Sequence, residues 1–276
     1  MKKVYKKKIV ITGSSGLLGS YFANKYKKKF QIIKYPNRIE NFKKFQKWII
    51  NKKFDYFIHF AAITRNSSMS KKKLFLINTL SVKNILNSLN KHKKNNLKYF
   101  LFISSSHVYG NYNKKIKENQ RRNPLSDYGK SKKMIEDFIF KKRKNFFFKI
   151  GIARIFNFTG PNQRSGYFIP DMSQKLKKFK FVKGLNKYRD FIHIDDLMES
   201  LKLLIKKEFE PPINISSGKK VNLIDICKLI VSRKKIENLS FEKDRGEDIY
   251  GNNSLLKKLG KKKFKSINSI VKTYYK

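Results

Sequence analysis

Two short motifs in the middle of the chain supply a hydroxyl, a phenol and an ammonium group. The first is SSSHVYG at 104–110, and the second is YGKSK at 128–132. Tyr128 and Lys132 are four residues apart, so in a helix they lie one turn apart on one face. A lysine charge at that distance stabilises a tyrosinate, so the phenol can give and take a proton. The spacing indicates proton transfer at an alcohol or a ketone, although it also arises by chance in a chain rich in Lys and Tyr.

The composition fits one large α/β domain, or a core domain with a smaller substrate-binding one. The chain has 276 residues, and its 40% hydrophobic content is enough for a packed core. Cys227 is the only cysteine, which excludes an intramolecular disulfide and a cysteine-based metal site. We find neither a membrane-spanning apolar run nor a signal-peptide core. We therefore expect a cytoplasmic protein that binds no metal and no membrane.

The charge balance is strongly basic. Lys and Arg number 66 against 19 Asp and Glu, which gives a formal net charge of +47. Such an excess is typical of proteins that bind polyanions. The lysines, however, are spread over the whole length, and Asn, Ile, Phe and Tyr are also abundant, as A/T-rich codons would produce. We therefore expect no dedicated nucleic-acid partner, and an attraction for anionic small substrates as a by-product of the charge.

The N-terminal segment has the order strand, glycine turn, helix. The apolar run KIVIT at 8–12 is typical of a buried parallel strand, and it leads into GSSGLLG and then a helical pattern at 20–29. A dinucleotide-binding fingerprint requires this order, because glycines permit close approach and the helix N-terminus faces a pyrophosphate. The cofactor-binding residues expected here are Gly13, Ser15, Gly16, Leu17, Leu18 and Gly19.

Strand and helix patterns continue to alternate after this turn. Strands are predicted at 30–34, 55–62, 97–106 and 146–155, and helices at 41–51, 71–89 and 126–142. Such alternation predicts an α/β fold with a doubly wound parallel (Rossmann) sheet. We expect this Rossmann domain over 1–160, rejoined by about 190–208. Residues 161–189 and 209–276 are expected to form a smaller C-terminal α/β substrate-binding domain.

Six strings then occur in a fixed order: TGSSGLLG, HFAA, SSSHVYG, YGKSK, RIFNFTGP and RDFIHIDD. In this the chain resembles the extended short-chain dehydrogenase/reductase family, of the NAD-dependent epimerase/dehydratase type, from about residue 8 to 260. The resemblance implies a nicotinamide cofactor, a nucleotide-sugar substrate and a homodimer. Further cofactor contacts are implied for Phe60, Ala61, Ala62 and Asn78.

The same resemblance assigns the catalytic roles. Tyr128 would be the acid/base at the sugar oxygen, and Lys132 would hold the nicotinamide ribose and lower the pKa of the phenol. Ser105 stands where the family has its catalytic Ser or Thr. Ser104 and Ser106 are the alternatives, since strand alternation aims only some of the three into the cleft.

Substrate contacts are also implied, and each has a structural alternative. Asn157 matches a family asparagine near the sugar or diphosphate, but it could be a turn cap. Two arginines match family contacts to the diphosphate, although ion pairs with Asp190 or Asp244 would also explain them. The substrate-binding residues expected in all are Ser106, His107, Asn157, Arg189 and Arg245.

The end of the second predicted strand bears on the choice of cofactor. An acid there accepts from the adenine ribose 2′-hydroxyl of NAD, whereas a basic residue favours the 2′-phosphate of NADP. No acid appears before Glu40. We therefore expect NADP, with Arg38 or Lys34 as the phosphate partner, and NAD as the alternative.

The residues before VYG bear on the reaction. Dehydratases of the family carry acidic residues there, whereas this chain has Ser106-His107, which disfavours a 4,6-dehydratase. The run at 154–176 and the segment near 245–260 look like those of GDP-4-dehydro-6-deoxy-D-mannose reductases, which implies reduction of a 4-keto sugar. The alternatives are an NAD-dependent nucleotide-sugar 4-epimerase, like UDP-glucose 4-epimerase, and a non-catalytic Rossmann binding module.

Overall fold

The structure is a computed structural model that describes residues 6–64, 70–163, 165–178, 181–182, 184–231, 240–241 and 248–272. The strands are β1 (Lys8–Thr12), β2 (Gln31–Lys34), β3 (Tyr56–His59), β4 (Tyr99–Ser105), β5 (Lys149–Ile155), β6 (Asn157–Thr159), β7 (Phe181–Val182), β8 (Tyr188–Arg189), β9 (Phe191–His193), β10 (Ile213–Ile215), β11 (Val221–Asn222) and β12 (Ser240–Phe241). The α-helices up to residue 230 are α1 (Leu17–Tyr26), α2 (Phe42–Ile49), α3 (Lys71–Phe75), α4 (Ser81–Lys91), α5 (Asp127–Lys142), α6 (Phe168–Lys178), α7 (Ile194–Lys207) and α8 (Leu223–Ile230). Two short helices, Ser254–Leu259 and Ile267–Lys272, follow.

A six-stranded sheet forms the centre of the fold, with the strand order β2-β1-β3-β4-β5-β10. The pairs β1–β2, β1–β3 and β3–β4 are parallel. Successive strands of a parallel sheet need crossover connections, and helices supply them here. The expected α/β fold with a parallel Rossmann sheet is therefore confirmed.

The chain divides into two compact units. The first contains residues 1–108, 124–153 and 204–212, and the second contains 109–123, 154–203 and 213–276. This division does not test the predicted domain limits, which remain a prediction.

Apolar side chains of the strands and helices form the core of the first unit. All seven residues of β4 are buried, and the rings of Phe57 and Phe100 stack across β3 and β4 with centroids 5.2 Å apart. Asn41 and Ser126 cap the N-termini of α2 and α5 by accepting from the backbone of Lys44 and Gly129. These caps fix where both helices begin, at the residues that follow.

The second unit is built from short elements. β6 pairs in parallel with β9, and β8 pairs antiparallel with β11. Ile169, Leu176, Ile226 and Cys227 are buried in its core. None of the described helices combines the length and the apolar character needed to cross a membrane.

Candidate active site

The turn after β1 is shaped for close approach to a ligand. Gly13 has φ +67°, and a Cβ there would lie 2.6 Å from the backbone nitrogen of Ala61. Gly16 donates from its backbone nitrogen to the carbonyl of Gly13 at 3.1 Å, which closes the turn. Gly16 is also the N-cap of α1, where it supplies no capping side chain, and the first turn of the helix has no acid. The backbone N–H groups and the positive end of the helix dipole therefore suit an anion such as a pyrophosphate.

The order of the strands places this turn at a topological switch point. From β1 the chain goes outward to β2 and then returns to the other side of β1 as β3. In such sheets, ligands bind in the crevice beyond the carboxyl ends of the strands at that point. Phe60, Ala61 and Ala62 follow β3 there and are half-buried. Ser15 and Gly16 are exposed, Leu17 and Leu18 half-buried, and Gly19 buried.

A buried histidine joins the ends of two strands beside this crevice. The hydroxyl of Thr12 lies 3.0 Å from Nδ1 of His59 and accepts weakly from the backbone nitrogen of Ala61 at 3.4 Å. Burial, together with the charge of Lys132, lowers the pKa of His59 to about 3. His59 is thus uncharged near neutral pH, and its hydrogen bond with Thr12 joins the ends of β3 and β1. With the uncapped helix and the space kept by Gly13, the crevice fits a dinucleotide.

Helix α5 carries the tyrosine and the lysine as the spacing predicted. Lys132 is buried, and its Nζ donates to the carbonyl oxygen of Ile103 at 2.9 Å. The Nζ lies 4.9 Å from the ring centroid of Phe102 and 5.8 Å from that of Tyr128. Burial lowers the pKa of Lys132 to about 7, and the carboxylate of Glu136 opposes this shift. The structure therefore brings Tyr128 and Lys132 together.

The three serines before VYG have different partners. Ser104 donates to Oε1 of Glu136 at 2.6 Å, whereas Ser105 accepts from the backbone nitrogen of His107 at 3.2 Å. Ser106 is buried and begins a 3-10 turn with His107. The rings of His107 and Tyr128 meet edge to face with centroids 5.8 Å apart. The structure thus joins His107 to Tyr128 and ties Ser105 to the same turn, while the catalytic role of Ser105 remains a prediction.

Asn78 lies in a π turn, Leu76–Leu80, that joins α3 to α4. Its side-chain amide accepts from the backbone nitrogen of Ile63 and donates to the carbonyl of Ile63, both at 2.8 Å. It also donates to the hydroxyl of Ser131 at 3.2 Å. Asn78 therefore fixes the segment after β3 against α5, and its predicted contact with the cofactor remains a prediction. π turns are frequent at functional sites.

The remaining substrate-binding predictions lie in the second unit. Asn157 begins β6, and Arg189 in β8 donates to the carbonyl of Tyr188 at 2.8 Å. The carboxylate of Asp190 accepts hydrogen bonds from the hydroxyl of Ser217 at 2.7 Å and from the backbone nitrogen of Gly218 at 2.9 Å. Arg245 lies outside the described residues. The roles of Asn157 and Arg189 toward a substrate remain predictions.

Sequence reasoning missed Glu136. This residue has no exposed surface, and it lies one helical turn beyond Lys132 on the same face of α5. Its carboxylate counters the burial of the ammonium, which would otherwise lose its proton more readily. The signal was available in the sequence, because a Tyr, a Lys and a Glu at four-residue intervals form one helix face.

We expect the substitution Glu136→Gln to move the pH dependence of turnover. An amide keeps the acceptor for Ser104 but removes the charge, so the pKa of Lys132 falls further below about 7. Because a protonated Lys132 is needed, activity falls as the pH rises through the pKa of Lys132. In the variant this fall should begin at a lower pH than in the wild type. Turnover should be on the order of tenfold below wild type at alkaline pH and near wild type under mildly acidic conditions. The measurement is the pH profile of kcat/KM.

The matched control for this substitution is Asp137→Asn. Asp137 is the next residue of the helix, but its carboxylate is partly exposed and paired with Lys133 at 2.8 Å. The same change of charge there should leave the pH profile unmoved. An equal displacement in both variants would show that Glu136 has no specific effect on Lys132.

Comparison with protein families gives a match over most of this region. The model of the NAD dependent epimerase/dehydratase family matches residues 9–216. The matched segment contains the glycine turn, the serine triplet and the helix with Tyr128 and Lys132.

Two curated relatives show how far the similarity extends. The GDP-6-deoxy-D-talose 4-dehydrogenase of Aggregatibacter actinomycetemcomitans is 28% identical over 288 aligned residues, covering 98% of this chain and 97% of that protein. The dTDP-D-glucose 4,6-dehydratase of Dictyostelium discoideum is 27% identical over 82% of this chain and 62% of that protein.

Solved structures share the fold. The structure of RMD from Pseudomonas aeruginosa complexed with NADPH has a TM-score of 0.83 at 21% identity, over 97% of this chain and 98% of that one. WbmG of Bordetella bronchiseptica in complex with NAD has a TM-score of 0.84 at 17% identity, over 100% and 94%.

Proposed function

Because the chain belongs to the NAD dependent epimerase/dehydratase family and is an enzyme of nucleotide-sugar metabolism, we propose that it is a reductase. Its substrate is GDP-4-dehydro-6-deoxy-D-mannose, and NADPH is the reductant. The observation that carries the proposal is the joined set of Tyr128, Lys132 and the turn at Ser106-His107. This set can move a proton at a sugar oxygen but places no carboxylate side chain at 106–107.

The residues at 106–107 support a reductase over a dehydratase. Elimination of water needs a group that removes a carbon-bound proton and one that protonates the leaving hydroxyl, in addition to the tyrosine. Hydride transfer to a ketone needs only one proton donor. Reduction of a ketone therefore needs no carboxylate in this turn, and the serine and histidine found there are compatible with it.

The relative from Aggregatibacter actinomycetemcomitans supports the choice of sugar. Its name describes oxidation at carbon 4 of a GDP-linked 6-deoxy sugar, and this chain aligns with nearly all of it. Oxidation and reduction at that carbon are one reaction read in two directions. The face on which hydride arrives decides which sugar is made.

The chain's own residues position and protonate the substrate. Tyr128 donates a proton to the keto oxygen, and Ser105 donates a hydrogen bond to the same oxygen. The ammonium of Lys132 gives one of its three N–H donors to Ile103 and has the others for the ribose hydroxyls and the phenol. It stabilises the tyrosinate that remains after proton transfer. When bound, the nicotinamide supplies the hydride.

A direct assay tests this function. Purified protein should consume NADPH when GDP-4-dehydro-6-deoxy-D-mannose is added, with one equivalent oxidised for each sugar reduced. The 4-epimerase alternative uses the same residues twice and needs no added cofactor. Stoichiometric NAD released on denaturation, together with interconversion of sugars without added cofactor, would replace the reductase by that alternative.

The segment after β2 supports NADPH as the reductant. The guanidinium of Arg38 is largely exposed, and it lies 3.9 Å from the carboxylate of Glu40. Lys34, at the end of β2, is also exposed, and no acid lies between the two. A planar guanidinium binds a phosphate with two parallel hydrogen bonds, which favours Arg38 as the partner of the 2′-phosphate.

We expect Arg38→Ala to lower kcat/KM for NADPH by about 10- to 100-fold, as a lost charge-assisted hydrogen bond would. The value for NADH should change less than twofold. Lys34→Ala is the control, since it removes a charge of the same sign from the end of β2, four residues before Arg38. A larger loss in Lys34→Ala would transfer the role to Lys34, and equal wild-type efficiency with the two cofactors would contradict the choice of NADP.

A further inference from the structure

Lysines that are scattered in the sequence meet at one edge of the sheet in the first unit. We call this the amino edge, defined by the segments that lead into the strands: 6–8, 27–30, 50–55, 92–98, 143–149 and 208–212. Helical crossovers return the chain to the amino end of each parallel strand, so these segments lie along one edge. The exposed lysines there are Lys6, Lys7, Lys8, Lys27, Lys28, Lys29, Lys52, Lys53, Lys93, Lys94, Lys98, Lys144 and Lys149.

Few acids offset this charge. Asp55, Glu208 and Glu210 are the acids of the amino edge as defined. Asp55 pairs with Lys7 at 3.1 Å, and Glu208 pairs with Lys149 at 3.4 Å. The edge therefore keeps a large positive excess after its ion pairs are counted.

The opposite edge of the same unit has a different character. The described segments that leave the strands there are 13–16, 35–41, 60–64 and 106–108. Arg38 is their one arginine, with Glu40 close to it, and the nearest lysines are Lys34 at the end of β2 and those in the first turns of α2 and α3. The loops at this edge thus carry far fewer lysines than the loops of the amino edge, although lysines follow in the helices that begin there. The sequence did not reveal this, because the lysines of the amino edge come from separate parts of the chain.

Two apolar side chains are exposed among these lysines. Ile50 is 47% exposed and Phe147 is 39% exposed. The one arginine of the edge, Arg143, donates from its guanidinium to the carbonyls of Ile150 and Glu210. The edge therefore presents ammonium groups and apolar side chains, whereas its guanidinium is used within the fold.

We propose that the amino edge binds the surface of an anionic lipid bilayer. Ammonium groups attract anionic headgroups without a fixed geometry, and exposed Phe and Ile side chains can enter the interfacial layer. Recognition of nucleic acid relies more on arginine forks and stacked aromatic rings. Bound in this way, the protein keeps the glycine turn and Tyr128 on the side away from the lipid.

Vesicle binding tests the proposal without any assay of turnover. The full chain is mixed with vesicles of phosphatidylcholine containing about 30% phosphatidylserine, at low ionic strength. It should sediment with these vesicles, stay in solution with pure phosphatidylcholine, and be released as salt screens the charge. The test variant combines Lys27→Gln, Lys28→Gln and Lys29→Gln. Each lysine near the surface is worth a factor of about five, so binding should fall about 100-fold.

The control variant combines Lys43→Gln, Lys44→Gln and Lys47→Gln. These three lysines of α2 are exposed and lie in the same unit, but outside the amino edge. The control should lose only about fivefold, because Lys47 alone lies within one helical turn of Ile50, whereas Lys43 and Lys44 lie about 10 Å further along α2. Equal losses of binding in both variants would show that only the total charge of the protein matters, and would overturn the proposal. Absence of vesicle binding would also overturn it, as would binding of single-stranded RNA that is lost in the test variant while vesicle binding is unchanged.

Discussion

Replacing Tyr128 with phenylalanine should lower turnover about 1000-fold and leave cofactor affinity within twofold of wild type. The substitution removes one oxygen atom, which is the proposed proton donor to the keto group. The ring remains to pack against His107, whose centroid lies 5.8 Å away, and Lys132 keeps its hydrogen bond to Ile103. The measurements are kcat for NADPH oxidation and the dissociation constant for NADPH.

Tyr112→Phe is the matched control for Tyr128→Phe. The phenol of Tyr112 donates to the carbonyl of Arg121 at 2.7 Å, so the control also removes a hydroxyl that has a partner. Its turnover should stay within about twofold of wild type, as expected for a hydroxyl that is not the proton donor. If Tyr128→Phe kept a tenth or more of the wild-type rate, the proton would have to come from another group, and the proposed mechanism would be wrong.

The second large effect is expected from Gly13→Ala. The position combines φ +67° with a Cβ site 2.6 Å from the backbone of Ala61, so both conformation and space oppose a side chain. The left-handed conformation costs about 1–2 kcal/mol, and relief of the clash costs about 1–3 kcal/mol more. We expect a loss of about 3 kcal/mol in the free energy of unfolding, measured by denaturant titration. Binding of NADPH should become undetectable, because the glycine turn must open.

The variant Gly184→Ala separates the cost of the left-handed conformation from the cost of the steric clash. Gly184 has φ +69°, but the nearest heavy atom to its Cβ site is Nζ of Lys187 at 3.9 Å. This variant carries the conformational cost alone, about 1–2 kcal/mol. Equal destabilisation of the two variants would mean that the turn after β1 has room for a side chain, which would contradict the close packing of the two loops.

Local patterns in the sequence were sufficient for much of the fold and for part of the site. β1 occupies residues 8–12 as predicted, because a β-branched run stops at Gly13, which can turn. Helix α1 begins at Leu17, earlier than the predicted residue 20, since the glycine turn leads directly into helical conformation. The spacing of Tyr128 and Lys132 gave their shared helix face, and the structure confirms that they lie together.

Features that depend on tertiary contacts were not predictable in the same way. The π turn at Leu76–Leu80 leaves no mark in the apolar pattern, which reads as one continuous helix over 71–89. The depressed pKa of Lys132 depends on burial beneath β4, and the amino edge depends on strand order. The homodimer, the substrate contacts and the choice of NADP remain predictions, since a partner or a ligand would have to be present to test them.

The π turn also restricts how the length of this helix can change in evolution. A π turn holds one residue more than an α turn, so a single deletion within Leu76–Leu80 would restore regular helical geometry locally. The turns on either side would keep their register, so Leu74 would stay buried, but the residues inside the segment would lose the orientation that the wide turn gives them. Asn78 could then no longer reach both backbone groups of Ile63. Substitutions are therefore tolerated here more readily than gaps, and alignments of homologous chains should keep a constant residue count across this segment.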